Sequence, residues 1–217
     1  MILAAGRGER LRPLTDSLPK ALVNVDGESL LENHLRRAAN AGIKNAVINL
    51  DWLGEQIVER VGDGQRFGLQ VTYSPEYGNV LETAGGIQRA LPMLGDQPFW
   101  VINADVYTNI ALPEVTLPPH VSGHLLLTQT PPFKSRGDFD LINGMIAKVE
   151  EPTFTFSGIA YYRPEFFAEL LPGRAPLGPM LFAAAERGEL SGELINGAWE
   201  DIGTPERLEN ARRKFGS

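Results

Sequence analysis

The 217-residue chain contains no cysteine, which excludes disulfides, thiol nucleophiles and cysteine-ligated metals. No apolar run approaches the roughly 18 residues of a membrane-spanning helix. Nor does the N-terminus show a charged segment followed by an apolar signal core. A soluble, cytoplasmic protein without membrane contact is expected. The three histidines, His34, His120 and His124, show no metal-ligand spacing and are read as structural or solvent-facing. Basic charge is not in excess: the net charge is −7, which argues against a nucleic-acid-binding surface. The three tryptophans are read as packing groups, with Trp52 a candidate for lining a helix start near a site. Internal repeats and low-complexity tracts are absent as well.

Two nucleotide signatures are also missing. A Walker loop needs G-x-x-x-x-G-K-[ST], which does not occur, and a dinucleotide fingerprint needs a third glycine leading straight into a helix. What stands instead is a short apolar strand ending in Leu3-Ala4-Ala5-Gly6-Arg7-Gly8, then Arg10, Arg12-Pro13 and Pro19-Lys20. The prolines disfavour a continuous helix. Backbone N–H groups around Gly6 and Gly8 can face an anion, and Arg10, Arg12 and Lys20 add local positive charge in an acidic protein. That combination suits a triphosphate. The strand before Gly6 is short, so a residue or two is expected ahead of Met1.

The remaining chain alternates strand and helix. Ser29-Leu-Leu-Glu32 reads as a capping box opening a helix to about Ala41, and Ala46–Leu50 as a buried parallel strand. A helix over about 53–61, a strand over 70–74, a loop over 78–86, a short helix over 87–91 and a strand over 99–103 follow. Beyond Pro118-Pro119 strands are expected at 124–129, 139–142, 145–149 and 155–162, with Asn143-Gly144 as a hairpin turn. Helices are expected at 164–171 and 177–186, and Thr204-Pro205-Glu206 opens a last one to about Phe215. The predicted fold is α/β: a Rossmann-like, doubly wound, mixed and mostly parallel sheet with helices on both faces. With 43% hydrophobic residues the chain can bury the core of a single domain, 1–217. Its nucleotide-binding part is placed at about 1–115 and its sugar-binding part at about 116–217.

The run L-A-A-G-x-G-x-R-L-x-P-L-T followed by P-K resembles the nucleotidyltransferases that activate sugar 1-phosphates. Further matches are Asn103-Ala-Asp105-Val, Glu82-Thr-Ala-Gly85-Gly86, Phe156-Ser157-Gly158-Ile159 and Trp199-Glu-Asp201-Ile-Gly-Thr-Pro205. The resemblance implies nucleotide binding by Leu3, Ala4, Ala5, Gly6, Gly8, Glu82, Gly85, Gly86 and Asn103, with Arg10 and Lys20 as the catalytic phosphate-binding cations. It implies Mg2+ on Asp105 and Asp201, and a sugar pocket at Glu150, Glu151, Ser157, Gly158 and Arg174. The partners implied are a nucleoside triphosphate and a sugar 1-phosphate, with room for a homodimer. Many relatives carry E-K-P where this chain has Glu150-Glu151-Pro152, which leaves Lys148, Arg174 or a larger share for magnesium in place of that lysine.

Several stretches, including 47–54, 62–69, 174–181 and 197–208, are similar to the N-acetylmuramate 1-phosphate uridylyltransferases of cell-wall recycling. Their sugar carries a lactyl carboxylate, for which Lys134, Arg136 and Arg174 are candidate partners. Mannose or heptose 1-phosphate with GTP, and glucose 1-phosphate with dTTP or UTP, are alternatives, as is a non-catalytic subunit that binds a nucleotide sugar.

Overall fold

The computed structural model describes residues 1–79 and 81–216. Its first elements are β1 (Ile2–Leu3), β2 (Asn24–Val25), β3 (Glu28–Ser29), α1 (Leu30–Asn40), β4 (Asn45–Leu50), α2 (Gly54–Val61) and β5 (Gln70–Pro75). Then come α3 (Glu82–Leu94), β6 (Phe99–Asn103), β7 (Val106–Thr108), β8 (Gly123–Gln129), β9 (Asp140–Ile142), β10 (Met145–Ala147) and β11 (Phe154–Tyr162). The chain closes with α4 (Glu165–Ala168), α5 (Leu177–Glu186), β12 (Leu190–Leu194), β13 (Trp199–Asp201) and α6 (Pro205–Phe215). Two compact units emerge: Met1–Val80 with Ile102–Pro113 and Gly197–Ser217, and Leu81–Val101 with Glu114–Asn196.

In the first unit the strand order is β5-β4-β1-β6. β1 lies parallel to both neighbours, with Leu3 opposite Asn49 on one side and Asn103 on the other. β4 is buried over all but its first residue, as a parallel strand covered on both faces must be. Leu31, Leu35, Ile48, Ile57 and Val61 form its main core with Ile2 and Phe67. Truncating Leu31 or Leu35, both fully buried, would cost about 2–5 kcal/mol. A second cluster joins Leu11, Val23, Val25, Leu30, Tyr107, Ile202 and Leu208.

α1 starts where the capping box predicts. Ser29 Oγ accepts from the Glu32 amide at 3.2 Å and the Glu32 carboxylate accepts from the Ser29 amide at 3.1 Å. Burial pushes the Glu32 carboxyl up, but hydrogen bonds from Arg60, Ser29 and Arg66 outweigh it and hold the group down at about 2.

In the second unit the order runs β6-β11-β8-β12-β10-β9, with β11–β8, β12–β10 and β10–β9 antiparallel and β12–β8 parallel. The sheet is mixed, and the α/β class read from the sequence holds. Asn143 and Gly144 make the β9–β10 turn with φ of 52° and 78°, the left-handed pair such a hairpin requires. β11 carries a register shift against β8 between Phe156 and Ala160, with Gly158 at φ 79°. Such bulges re-aim side chains, and this one falls on Ser157-Gly158.

Three differences from the predicted elements have physical causes. α3 begins at Glu82, not at Ile87, because Gly85 lets the backbone at Gly173 approach so closely that a Cβ there would lie 2.2 Å from its carbonyl oxygen. β12 shows no strand pattern because Gly192 stands where a side chain would meet the Leu125 carbonyl at 2.7 Å. β7 and β13, three residues each, are too short for any alternation to register.

Candidate active site

The first unit gathers the basic loop and both acidic segments. At the end of β1 the Ala4 amide donates to Asn49 Oδ1 at 2.7 Å, and Asn49 Nδ2 donates to Glu76 Oε1 at 2.9 Å, with both side chains buried. The Ala104 amide donates to the Leu3 carbonyl at 3.0 Å. These bonds anchor the point from which Ala5, Gly6 and Gly8 leave the sheet. Gly8 has φ 65°, and its carbonyl accepts from Thr15 Oγ1 at 2.8 Å and from the Leu11 amide at 2.9 Å. A Cβ on Gly8 would lie 3.0 Å from the Lys20 stem, whereas one on Gly6 would meet nothing within 4 Å. Gly6 therefore presents open backbone. Arg7 stacks its guanidinium over Trp52 at 4.2 Å, and Trp52 Nε1 donates to the Thr15 carbonyl at 2.9 Å, so Trp52 braces the loop from outside.

Lys20 sits on a short 3-10 turn, Lys20–Leu22, and its Nζ donates to Asp105 Oδ2 at 2.6 Å. Asp105 follows β6 directly after Asn103 and Ala104. β7 pairs antiparallel with β13, setting Asp201 opposite Val106, and the Ile202 amide donates to the Asp105 carbonyl at 2.9 Å. The two aspartates, 96 positions apart by their numbers (201 − 105), thus stand on adjoining strand ends.

Asp201 Oδ2 accepts from Arg207 Nη1 at 2.7 Å. Arg207 lies in the first turn of α6, where Thr204 Oγ1 caps the helix by accepting from the Arg207 amide at 3.3 Å. Gly203 marks where these groups converge. A Cβ there would lie 2.9 Å from Arg207 Nη1, 3.1 Å from Arg10 Nη2 and 3.2 Å from Asp201 Oδ1. Three cations, Arg10, Lys20 and Arg207, thus face two carboxylates. The sequence patterns gave Arg207 no role, although it lies within the 197–208 stretch just after the Gly-Thr-Pro helix start.

In the second unit, Glu82 opens α3 with φ 56°, and Arg174 Nε donates to Glu82 Oε1 at 2.6 Å. The Ala84 and Gly85 amides both donate to the Ala175 carbonyl, at 3.0 and 3.1 Å, and the Ala175 amide returns a bond to Leu81. Arg174 therefore braces Glu82, and the Gly85 amide is engaged by the chain itself. Gly86 is buried one residue further along α3. Ser157 and Gly158 are buried at the β11 bulge, where Ser157 Oγ accepts from the Ile159 amide at 3.3 Å. Glu150 and Glu151 stand exposed on the turn after β10.

The histidines take no part in either cluster. His34 is fully buried, and burial together with the charge of Arg37 pushes it down to about 3, against an opposing pull from backbone at Val106 and Asn103. His124 Nδ1 shares a hydrogen bond with Ser191 Oγ at 2.9 Å, and His120 is exposed.

The family model described as nucleotidyl transferase matches residues 1–118, more than half of the chain. The chain belongs to the nucleotidyl transferase family. It is 45% identical over 226 aligned residues to the N-acetylmuramate alpha-1-phosphate uridylyltransferase of Neisseria meningitidis serogroup B, covering 100% of this chain and 98% of that one. To the protein of the same name in Caulobacter vibrioides it is 30% identical, over 95% and 92% of the two chains. Among solved structures, one from Bacillus anthracis assigned as a glucose-1-phosphate thymidylyltransferase, crystallised with sucrose, superposes with a TM-score of 0.85 at 22% identity over 99% of this chain and 93% of that one. At that identity the likeness speaks for the fold.

This nucleotidyl transferase has the charge pattern that phosphate transfer requires. Arg10, Lys20 and Arg207 can stabilise charge on phosphate oxygens from fixed positions, which needs no reorganisation during reaction. Among the described residues no three His, Asp or Glu side chains gather as a closed metal cage. Asp105 and Asp201 together fit a hard cation that takes one or two carboxylates and keeps its remaining places for water and phosphate, which is the habit of magnesium.

Proposed function

We propose that the chain is an N-acetylmuramate 1-phosphate uridylyltransferase: it joins UTP to N-acetylmuramate 1-phosphate and releases UDP-N-acetylmuramate and pyrophosphate, in the cytoplasm and in the service of cell-wall recycling. The observation that carries this reading is the 45% identity with the Neisseria relative, which runs the length of both chains. The mannose-1-phosphate guanylyltransferase relatives of Xenopus tropicalis and Danio rerio stand further off, at 26% and 27%.

In the proposed reaction an oxygen of the sugar phosphate attacks the α-phosphorus of UTP, and the bond to the bridging oxygen of pyrophosphate breaks. The nucleophile is already an anion, so no general base is required and no proton moves. The obstacle is the approach of two anions and the charge that builds on the leaving group. Lys20 and Arg10 bind phosphate oxygens, the open backbone at Gly6 accepts the triphosphate at close range, and Asp105 and Asp201 hold Mg2+. When bound there, the ion neutralises phosphate charge and orients the leaving group. Glu82, held by Arg174, and the start of α3 contribute to binding the base, while Glu150, Glu151 and the Ser157-Gly158 bulge contribute to the sugar.

The test is pyrophosphate release by purified protein across a grid of UTP, GTP and dTTP with N-acetylmuramate, N-acetylglucosamine, mannose and glucose 1-phosphates, with magnesium and with EDTA. The highest kcat/KM is expected for UTP with N-acetylmuramate 1-phosphate, and none with EDTA. A higher value for another pair overturns the substrate assignment. Undiminished turnover in EDTA overturns the metal.

A further inference from the structure

The second unit holds a cavity of about 470 Å³ that brings together Lys134, Arg136 and Lys148, three cations for which the sequence alone offered competing roles. Its wall sets the apolar Phe133, Pro152 and Phe182 beside three cations, Lys134, Arg136 and Lys148, and one carboxylate, Asp138. Val149 and Pro152 also line it, so it borders the turn bearing Glu150 and Glu151 on both flanks. The loop that forms its rim is stitched in place. The Gly137 amide donates to the Pro152 carbonyl at 3.0 Å, and a Cβ on Gly137 would fall 2.4 Å from the Phe154 carbonyl.

The three cations are not equivalent. Lys134 Nζ lies 2.8 Å from each oxygen of Asp138, and Asp138 Oδ2 also accepts from the Phe156 amide at 3.0 Å. Lys134 is thereby committed to fixing the loop on β11. Lys148 Nζ donates to Glu186 at 2.6 Å. Arg136 is exposed, and among the described residues no hydrogen bond or ion pair engages its guanidinium. A planar fork of donors at the mouth of a cavity with aromatic walls matches a carboxylate borne on a small apolar stem.

We infer that this cavity receives the lactyl ether of the muramate, with Arg136 binding its carboxylate and the Phe133–Pro152–Phe182 wall taking its methyl group. The inference rests on the sugar phosphate proposed above, and it adds the determinant that separates that sugar from its uncharged relatives. Lys134, its charge matched by Asp138, offers no free partner, and the carboxylate falls to Arg136.

The experiment compares N-acetylmuramate 1-phosphate with its lactyl carboxamide, an isostere that lacks the charge, in the native protein, Arg136→Gln and Arg136→Lys. A charge-assisted hydrogen bond of ordinary strength predicts that the native protein prefers the acid by about tenfold or more in kcat/KM, through KM. In Arg136→Gln that preference collapses to about one, and Arg136→Lys retains part of it. An acid-to-amide preference of the same size in Arg136→Gln as in the native protein overturns the assignment of Arg136, and leaves the substrate assignment standing. If the native protein turns over neither compound yet works on another sugar phosphate, the substrate reading falls and this inference falls with it.

Discussion

Replacing Gly203 with alanine probes the convergence of charges directly. The backbone at Gly203 is outside the left-handed region, so alanine brings no conformational strain there. What its methyl group meets is Arg207 Nη1 at 2.9 Å, Arg10 Nη2 at 3.1 Å and Asp201 Oδ1 at 3.2 Å. All three atoms end flexible side chains, so they yield by a few tenths of an ångström and the fold is spared. Stability should move by less than about 1 kcal/mol, or about 2–4 °C in Tm for a chain of this size. Activity should not be spared. Misplacing reacting or positioning groups by about 1 Å can cost roughly a hundredfold. A shift of part of that distance in three charged groups predicts a fall in kcat/KM of roughly 10- to 100-fold, or about 1.4–2.7 kcal/mol of transition-state stabilisation. Steady-state pyrophosphate release and a thermal melt on the same preparation provide both readings. Gly178→Ala in α5, where a Cβ meets nothing within 4 Å, is the control for glycine replacement as such and should leave both readings near native. A Gly203→Ala protein with native Tm and kcat/KM within twofold of native would refute the claim that these charges work at that point.

Lys20→Ala removes a cation whose partner Asp105 is 37% exposed, so the carboxylate left behind can be hydrated. Turnover should fall by roughly 10²–10³-fold while the melt shifts by a few degrees only; near-native rates would sink the role given to Lys20. Gly85→Ala puts a methyl 2.2 Å from a backbone oxygen that cannot swing aside, and should cost about 1–3 kcal/mol or undock residues 173–175, read as a lowered urea midpoint with faster amide exchange at Ala84 and Gly85; a gain in stability from improved helix propensity would contradict it. The folded form of His34 resists protonation until about pH 3, whereas the unfolded form takes a proton near 6.5, so its contribution is complete above pH 6.5 and is lost as pH falls towards 3, at up to about 1.4 kcal/mol per pH unit. Urea unfolding of His34→Gln should therefore show a flatter pH dependence than native between pH 6.5 and about 5.5, above the range where the unfolded Glu32, with its ordinary value of 4.5, takes up its own proton; equal slopes would exclude His34 as the source.

Signals contained within a few residues were legible in the chain itself. The Ser29–Glu32 box, the Asn143-Gly144 turn, the Thr204-Pro205 helix start and the whole of α5 need only their own neighbours, and each stands where local chemistry puts it. The basic loop was legible for the same reason, since its glycines, arginine and lysine lie within one stretch. What could not be read depends on partners far along the chain. The start of α3 is set by Gly173–Ala175, some ninety positions on, and β12 by close contact with Leu125. The Asn49–Glu76 anchor of Ala4, the Trp52 brace on Arg7 and the pairing of Arg207 with Asp201 are side-chain contacts between elements. No periodicity encodes such contacts.

The ion pairs of the site bear on how a protein can hold so many charges ready without being destabilised by them. Lys20 is matched by Asp105 and Arg207 by Asp201, each through Oδ2. A cation left partly buried and unmatched would carry a desolvation cost, and removing one member of such a pair costs more than removing both. The proposed ligand, a polyanion with a divalent cation, carries the same alternation of sign. On binding such a ligand, Lys20 and Arg207 would exchange a carboxylate for phosphate oxygens, and Asp105 and Asp201 would exchange an ammonium or guanidinium for the metal. The number of opposed charges is conserved through the exchange, so binding energy is not consumed in desolvating bare charges. The same pairs hold the side chains near their working positions before the ligand arrives, which lowers the ordering cost of binding. Asp105 and Asp201 thus hold, in the resting fold, the very residues proposed to meet the phosphates, and a lone cation in that loop, without its carboxylate, would make a poorer site.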